Sequence, residues 1–514
     1  MENKKVILIL FFAAMMIFCF VFVSCQNSSK ANDNNAGDTQ SPDDNINGDN
    51  SDGEDNNGEN PQAETTESRE AISDDLPEID YNGYDFRFYT YSNLPGEINL
   101  AHDFAPPEEI GEVINDSVHK RNRTIEERFN VNIKAIDSEA RDYNNHAAKI
   151  KKVIQAGDDV FDVAFAHVIR AANLTLENLM VNLLEVPHFN FNKPWWQKQT
   201  NEELTLAGKM FLGSNSMFYL GLGSTKVVYF NKNKIMDYGI DMPYQLVFDG
   251  KWTIDKLIEI SRNTYEDLNG NGEKDEDDFY GYITVANQNG FLISCDIPVL
   301  EKNKDDILKI AVNGEKTTNF VDTIYDWYYN SPGVYMYYKQ DDNSWLPKMF
   351  SNNQALFAFG RIQDTVTDYR ASNVEYGILP QPKYDESQAN YRAFSTDEFF
   401  MVPTTLEGDA LERAGVIIEA MSAEGYKQIL PAYYEIALKI KYLQDDESVR
   451  ILELINDSRT VSFAYVYDNW EGFGHMFSHL FGDKPTHDFT SYYEAGLGSA
   501  QKRVDTIING FTGY

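Results

Sequence analysis

Polar and apolar positions divide the 514-residue chain into three stretches. An unbroken apolar run occupies Val6 to Val23, an almost wholly polar stretch follows from Gln26 to about Asp75, and patterned sequence begins near Ile79. In the patterned part, Phe86 to Tyr91 alternates and is rich in β-formers, which predicts a strand. Ile110, Val113, Ile114, Val118, Ile125 and Phe129 form one helical stripe. Val131 to Ile136 reads as a second strand, Tyr143 to Ala156 as a helix stopped by Gly157, and Val160 to Ala166 as a third strand. Strands alternating with helices in this way predict a mainly parallel, doubly wound α/β sheet. Ligands of such sheets bind beyond the carboxyl ends of the strands. The strand exits Tyr91-Ser92-Asn93 and His167 to Arg170 are therefore candidate contacts, with surface polarity or a helix cap as the alternative for His167 and Arg170.

Further along, Trp195 and Trp196 are adjacent aromatics. On an extended chain they point opposite ways, so core packing is the expected role of both. Gly208 to Gly213 resembles a hairpin, and Asn287 to Gly290 forms a loop within a mixed segment. Helical pattern dominates from Asp305 to about Ser344. Phe399 to Pro403 reads as a strand leaving one lobe, and the chain is helical again from about Leu406. Ser462 to Tyr467 is a late aromatic segment.

The leader carries Lys4 and Lys5 before its apolar run and ends Phe22-Val23-Ser24-Cys25. It resembles a bacterial lipoprotein signal, in which a small residue precedes a Cys that is acylated and becomes the new N-terminus. Residues 1–24 would then be the signal peptide, and Cys25 would carry the lipid. A plain transmembrane anchor is the alternative, since about 18 apolar residues suffice to span a bilayer. On either reading the rest of the chain faces away from the cytoplasm. Residues 25–78 cannot bury enough apolar area to offset their ordering entropy, so they read as a disordered acidic tether. About fifty such residues reach on the order of 40 Å.

Composition narrows the function. The formal net charge is -37, from 81 acidic and 44 basic side chains. Such a surface repels phosphate backbones and argues against nucleic-acid binding. Of the three cysteines, Cys19 leaves with the signal, Cys25 is the lipid site and Cys295 is left alone. No disulfide framework is available, and stability must come from a large core. Aromatic residues make up 13% of the chain, enough for a core and for a face that stacks on a flat ligand. The chain has no Gly-x-Ser-x-Gly elbow, no His-Glu-x-x-His and no Gly-rich phosphate loop. The sharpest local motif is Asp267 to Asp278. It has oxygen donors at Asp267, Asn269, Asn271, the Glu273 carbonyl, Asp275 and Asp278, with Gly272 at the turn. That pattern predicts a structural Ca²⁺ clip, with an acidic turn as the alternative.

Three stretches carry a family resemblance. They are Tyr229-Phe230-Asn231-Lys232 with Met242-Pro243 and Lys251-Trp252-Thr253; Phe350 with Ala355-Leu356-Phe357 and Gly360; and Tyr376 to Pro382, which reads Tyr-Gly-Ile-Leu-Pro-Gln-Pro. In order and spacing the chain from Ile79 to Tyr514 resembles the extracellular solute-binding proteins of ABC importers, the family that includes sugar-binding lipoproteins. It departs from them at Asn352-Asn353-Gln354, where Gly usually precedes the Ala. The resemblance implies a two-lobed, type II periplasmic-binding-protein-like fold closing by a multi-crossing hinge. Lobe 1 would be 79–224 plus 350–405, and lobe 2 would be 225–349 plus 406–514. The solute, a sugar or else a peptide, would lie between Tyr91, His167, Arg170 and Arg361 on one side and Asn287 and Tyr465 on the other. It implies a monomeric, non-catalytic protein working with permease subunits; a surface-anchored glycoside hydrolase using two carboxylates is the competing class.

Overall fold

A computed structural model describes residues 69–91, 104–106, 108–286, 288–304, 306–336, 345–370, 372–396, 399–439 and 446–513. The chain opens with strand β1 (Tyr84–Thr90), helix α1 (Val113–Phe129), β2 (Val131–Asp137), α2 (Tyr143–Ala156), β3 (Val163–Ala166) and α3 (Val168–Thr175), then α4 (Lys198–Leu204). Local chemistry sets several of these ends. The Asp142 side chain accepts the Asn145 amide at the start of α2, and Gly157, at φ 69°, closes it. Helix α1 buries Val118, Ile125 and Phe129, whereas Ile110 lies before it and is exposed.

The middle of the chain supplies β4 (Lys226–Asn231), β5 (Tyr265–Glu266), β6 (Phe279–Thr284), β7 (Leu300–Lys302), β8 (Leu308–Ile310), α5 (Glu315–Asn330), β9 (Val334–Met336), β10 (Ala355–Arg361) and β11 (Tyr376–Pro380). The last part holds β12 (Ala393–Phe394), β13 (Phe399–Met401), α6 (Asp409–Glu424), α7 (Asp446–Asp457), β14 (Arg459–Thr460), α8 (Phe463–Tyr467), α9 (Met476–Phe481) and α10 (Phe489–Thr512).

Two sheets organise these elements, one for each lobe. The first runs β13-β3-β1-β2. Its β1 is parallel to β2 and β3, as the alternating pattern predicts, and β13 closes it antiparallel to β3. The second runs β11-β4-β10-β6-β5, with β9 beside β6, and mixes parallel and antiparallel pairs. Both belong to one compact unit.

This pairing corrects the expected lobe boundaries. β10 and β11 both pair with β4, so residues 355–380 belong to the second sheet, and the return to the first is made by β13. The chain after Leu406 is also shared between the lobes. α6 lies against α1 in the first lobe, and α7 lies against β11 in the second. The quoted motifs knit the second lobe together: the buried Trp252 indole donates to the Pro380 carbonyl at 2.9 Å. Asn353, where the resembling family carries Gly, stands at φ 60°, a conformation that Asn tolerates better than most side chains. The β7–β8 hairpin reaches from the second lobe to the first. There Lys302 Nζ donates to the carbonyls of Glu202, Glu203 and Thr205 at the end of α4.

Trp195 and Trp196 are both buried, as expected of core residues. Their indole N–H groups converge on one carboxylate, donating to Glu419 Oε1 at 2.8 Å and Oε2 at 3.0 Å. Burial pushes the Glu419 carboxyl up to about 7, although these donors favour its ionised form.

Candidate functional site

At the carboxyl end of β3 the chain turns through His167 into α3. The His167 ring lies 4.5 Å from that of Tyr143. Burial, reinforced by Arg170, lowers its pKa to about 4, so the imidazole is neutral at pH 7.

A second segment, from α8 through a loop to α9, meets this end of the sheet. α8 belongs with the first lobe: Phe463 and Tyr467 pack on Phe511, and α8 lies against α3. α9 belongs with the second lobe, where Phe477 packs on Phe291, Phe320 and Tyr328. The loop Asp468 to His475 is therefore a crossing between the lobes.

Asp468 builds that loop. Its buried carboxylate accepts the Trp470 amide at 3.0 Å and the Gly474 amide at 2.5 Å. Gly474 is required by close approach, because a Cβ there would lie 2.5 Å from the Ala464 carbonyl oxygen and 2.6 Å from Asp468 Oδ2. The turn puts Asn469 and Trp470 at φ 52° and 66°. Left-handed backbone is strained for so large a side chain and is held only where the surroundings enforce it. Asn469 Oδ1 accepts from Asn173 at 2.9 Å and Arg170 at 3.4 Å, which ties the loop to α3.

The result is a presented aromatic face. Trp470 is 49% exposed, whereas the other five tryptophans are buried. Its ring stacks on His475 at 3.7 Å between centroids and 23° between planes. His475 is fully buried, with Nε2 3.1 Å from the Tyr465 carbonyl oxygen. Burial holds its pKa down at about 3, and the neighbouring His479 and His167 oppose its charging further. Tyr465 packs edge-on against Phe394 at 4.9 Å. Together these groups offer a flat uncharged face flanked by amide and guanidinium donors. Such a set stacks on an apolar ring face and binds hydroxyl oxygens.

Of the six ligand residues expected from the sequence, His167, Arg170 and Tyr465 come together around this loop. Tyr91 is buried, with its ring against Tyr143 and His146 at the strand exit. Arg361 is half-exposed at the end of β10. Its Nε donates to Asp364 at 3.1 Å, and the Gln363 amide, oriented with its oxygen inward, accepts from both terminal nitrogens. Asn287 lies outside the described residues. Sequence reading missed Trp470, Asn469, Asp468 and His475. The signal was there in Asp468-Asn469-Trp470-Glu471-Gly472-Phe473-Gly474, turn chemistry wrapped around one tryptophan.

The Asp267–Asp278 loop takes up the turn its pattern implies, with Gly270 and Gly272 at φ 72° and 77°. Asp267 accepts the Gly270 and Gly272 amides. Asn269 and Asn271 donate to Asp275. The buried Asp278 accepts from Tyr265 Oη and the Leu268 amide. Among the described residues no group of three or more His, Cys, Asp or Glu side chains gathers closely enough to hold a metal ion.

No protein-family model matches the chain, and neither does any curated protein. Solved structures do. The GacH receptor of Streptomyces glaucescens, known unliganded and with acarbose, is similar at TM-score 0.52 and 13% identity over 83% of this chain and 99% of its own. UgpB of Mycobacterium tuberculosis, in complex with glycerophosphocholine, matches at TM-score 0.52 and 13% identity, covering 83% and 98%. A cyclo/maltodextrin-binding protein complexed with maltotetraose matches at 0.52 and 13%, covering 84% and 96%. At such identity the likeness establishes the fold: two lobes of sheet flanked by helices, of the type II binding-protein kind.

Proposed function

We propose that this chain is the substrate-binding component of an ABC importer. It captures a small solute, with an oligosaccharide preferred, between its lobes by hinge closure and passes it to permease subunits in the membrane. The observation that carries the reading is the exposed Trp470 face on a loop that crosses between the lobes of a binding-protein fold. The neutral His167 and His475 favour an uncharged ligand, and the saccharide complexes of two of the similar structures point the same way. The chain acts outside the cytoplasm, held as a monomer by lipid on Cys25. No helix among the described residues is long and apolar enough to cross a membrane. The Asp267–Asp278 loop is proposed as a calcium clip on its residue pattern.

The deciding experiment is a thermal-shift screen of the chain from residue 26 onward against malto-oligosaccharides, glycerophosphodiesters and peptides, followed by calorimetry. A ligand that binds only the folded state raises the melting temperature. Stabilisation by saccharides is expected; stabilisation by peptides alone would replace the sugar reading, and release of reducing ends would favour a hydrolase. Cys25→Ala should free the protein from the membrane fraction without altering its melting temperature, and full retention would favour an uncleaved helix.

A further inference from the structure

We propose that Asp468 is the positioning residue of the solute platform, and that its ionisation sets the placement of Trp470 and through it the affinity for solute. The inference rests on the Trp470 face being the solute contact proposed above.

The geometry concentrates control of the loop in one carboxyl group. Oδ1 takes the Trp470 amide and Oδ2 the Gly474 amide, the two ends of the turn that carries the ring. His475, the floor on which Trp470 stacks, brings Nε2 to 3.4 Å from Oδ1. Ring, floor and turn therefore all refer to the same two oxygens. Ionised, the carboxyl accepts both amides but carries a buried charge; protonated, it sheds that charge and keeps acceptor capacity on both oxygens.

Every element around Asp468 contributes to its charge balance. Its own loop supplies Glu471 and His475. α10 supplies Arg503, whose guanidinium is engaged by the Tyr467 carbonyl at 2.7 Å and Asn173 Oδ1 at 2.7 Å. The hydroxyls of Tyr465 and Tyr492 lie within electrostatic reach. Leu300 and Ile310 of the β7–β8 hairpin and Val504 of α10 close the adjoining cavity with apolar side chains. Burial outweighs the two amides and Arg503 and pushes the carboxyl up to about 7. Both forms are then populated at neutral pH. The closed loop therefore binds this proton more tightly than a loop opened to water, so the platform is held below that value and loosened above it. Solute affinity should fall as pH rises through 7, by at most about tenfold per pH unit for one proton.

Tryptophan fluorescence can test this without any ligand, because Trp470 is exposed and the other five are buried. Acrylamide quenching of the intact chain should show one transition near pH 7, and Trp470→Phe should remove the quenchable component. Asp468→Asn should abolish the transition, while Glu471→Gln and His479→Gln keep it. A wild type without a transition overturns the proposal even if Asp468→Asn fails to fold; so does a transition that survives in a folded Asp468→Asn. Maltotetraose serves as the solute probe, and its affinity should follow the same midpoint. If no saccharide binds while the fluorescence transition behaves as described, the solute reading fails and the role of Asp468 in the loop stands. If saccharide binds with no change between pH 6 and 8, the coupling fails and the solute reading stands.

Discussion

Glu419 and Asp468 are both buried carboxyl groups pushed up to about 7 by burial, and each holds tryptophan in place. Glu419 accepts from two indole side chains, and the rings that carry them are packed away from water. Asp468 accepts from backbone amides on either side of one tryptophan and leaves its ring half in solvent. Similar groups thus serve different ends according to what they bind. A carboxylate bonded to side chains fixes a core. One bonded to the backbone shapes a turn, and the side chain on that turn is free to meet something else.

Breaking the first region should cost the most stability. Glu419→Ala leaves two buried indole donors without an acceptor and opens a void between α6 and the 190–196 segment. Unpaired buried donors cost about 1–3 kcal/mol each, so a loss of roughly 2–6 kcal/mol is expected in urea unfolding. Acrylamide quenching of Trp470 and any solute affinity should be unaltered in whatever fraction stays folded. A change in either would mean that the two regions are coupled.

The second region should respond the opposite way. Trp470→Ala keeps a Cβ at φ 66° and uncovers the buried His475 on which the ring stacks, so the melting temperature should fall only slightly. Solute affinity should drop by about 1–2 kcal/mol, roughly five- to thirtyfold, as for loss of one aromatic contact. Unaltered affinity would move the site away from this loop. Arg361→Ala is the useful control: its fork is already engaged by Asp364 and Gln363, so a smaller effect than that of Trp470→Ala is expected.

Acid titration sharpens the comparison because both groups shift in the same direction. A carboxyl whose pKa is higher folded than unfolded binds its proton more tightly when folded. Its stabilisation is complete below the unfolded value, 4.5 for Glu and 3.8 for Asp, and is lost as pH rises through about 7. Each group should therefore lower stability by at most about 1.4 kcal/mol per pH unit across that window. Glu419→Gln and Asp468→Asn should each flatten the slope measured in urea midpoints from pH 5 to 7. A slope unchanged in both variants would mean that burial does not control these carboxyls.

Much of the first sheet was legible from residue pattern. The Gly157 stop closes α2 where the pattern ends it, and the alternation from Phe86 identifies β1. What pattern cannot convey is partnership across long separations. β10 is an apolar strand whichever sheet receives it, and only pairing with β4 places it in the second lobe. The carboxyl-end rule points to the end of β3, where His167 and Arg170 lie beside the Trp470 loop. It could not tell that the Tyr91 ring folds back onto His146. The Trp470 face depends on a left-handed turn held by a carboxylate and two glycines, and no periodicity announces such a feature.

The Asp267–Asp278 loop extends the comparison to a third buried carboxylate, and it carries the smallest expected effect. Asp278 accepts from a tyrosine hydroxyl and a backbone amide, so like Asp468 it shapes a turn, but this turn presents oxygen donors and no ring. With Asp267 on the Gly270 and Gly272 amides and Asp275 on two asparagine amides, the loop is satisfied by its own groups. A cation must therefore compete with bonds already made, which weakens affinity, and Asp in place of Glu at the last position shortens the reach further. Taking the weak class of extracellular calcium sites, with Kd of about 10⁻⁴ to 10⁻³ M, about 1 mM Ca²⁺ should stabilise the fold by roughly 0.4–1.4 kcal/mol. EDTA should remove that gain, and Asp267→Ala should make the protein indifferent to both. Melting temperatures that ignore Ca²⁺, EDTA and the substitution alike would leave the loop an acidic turn that its own amides hold.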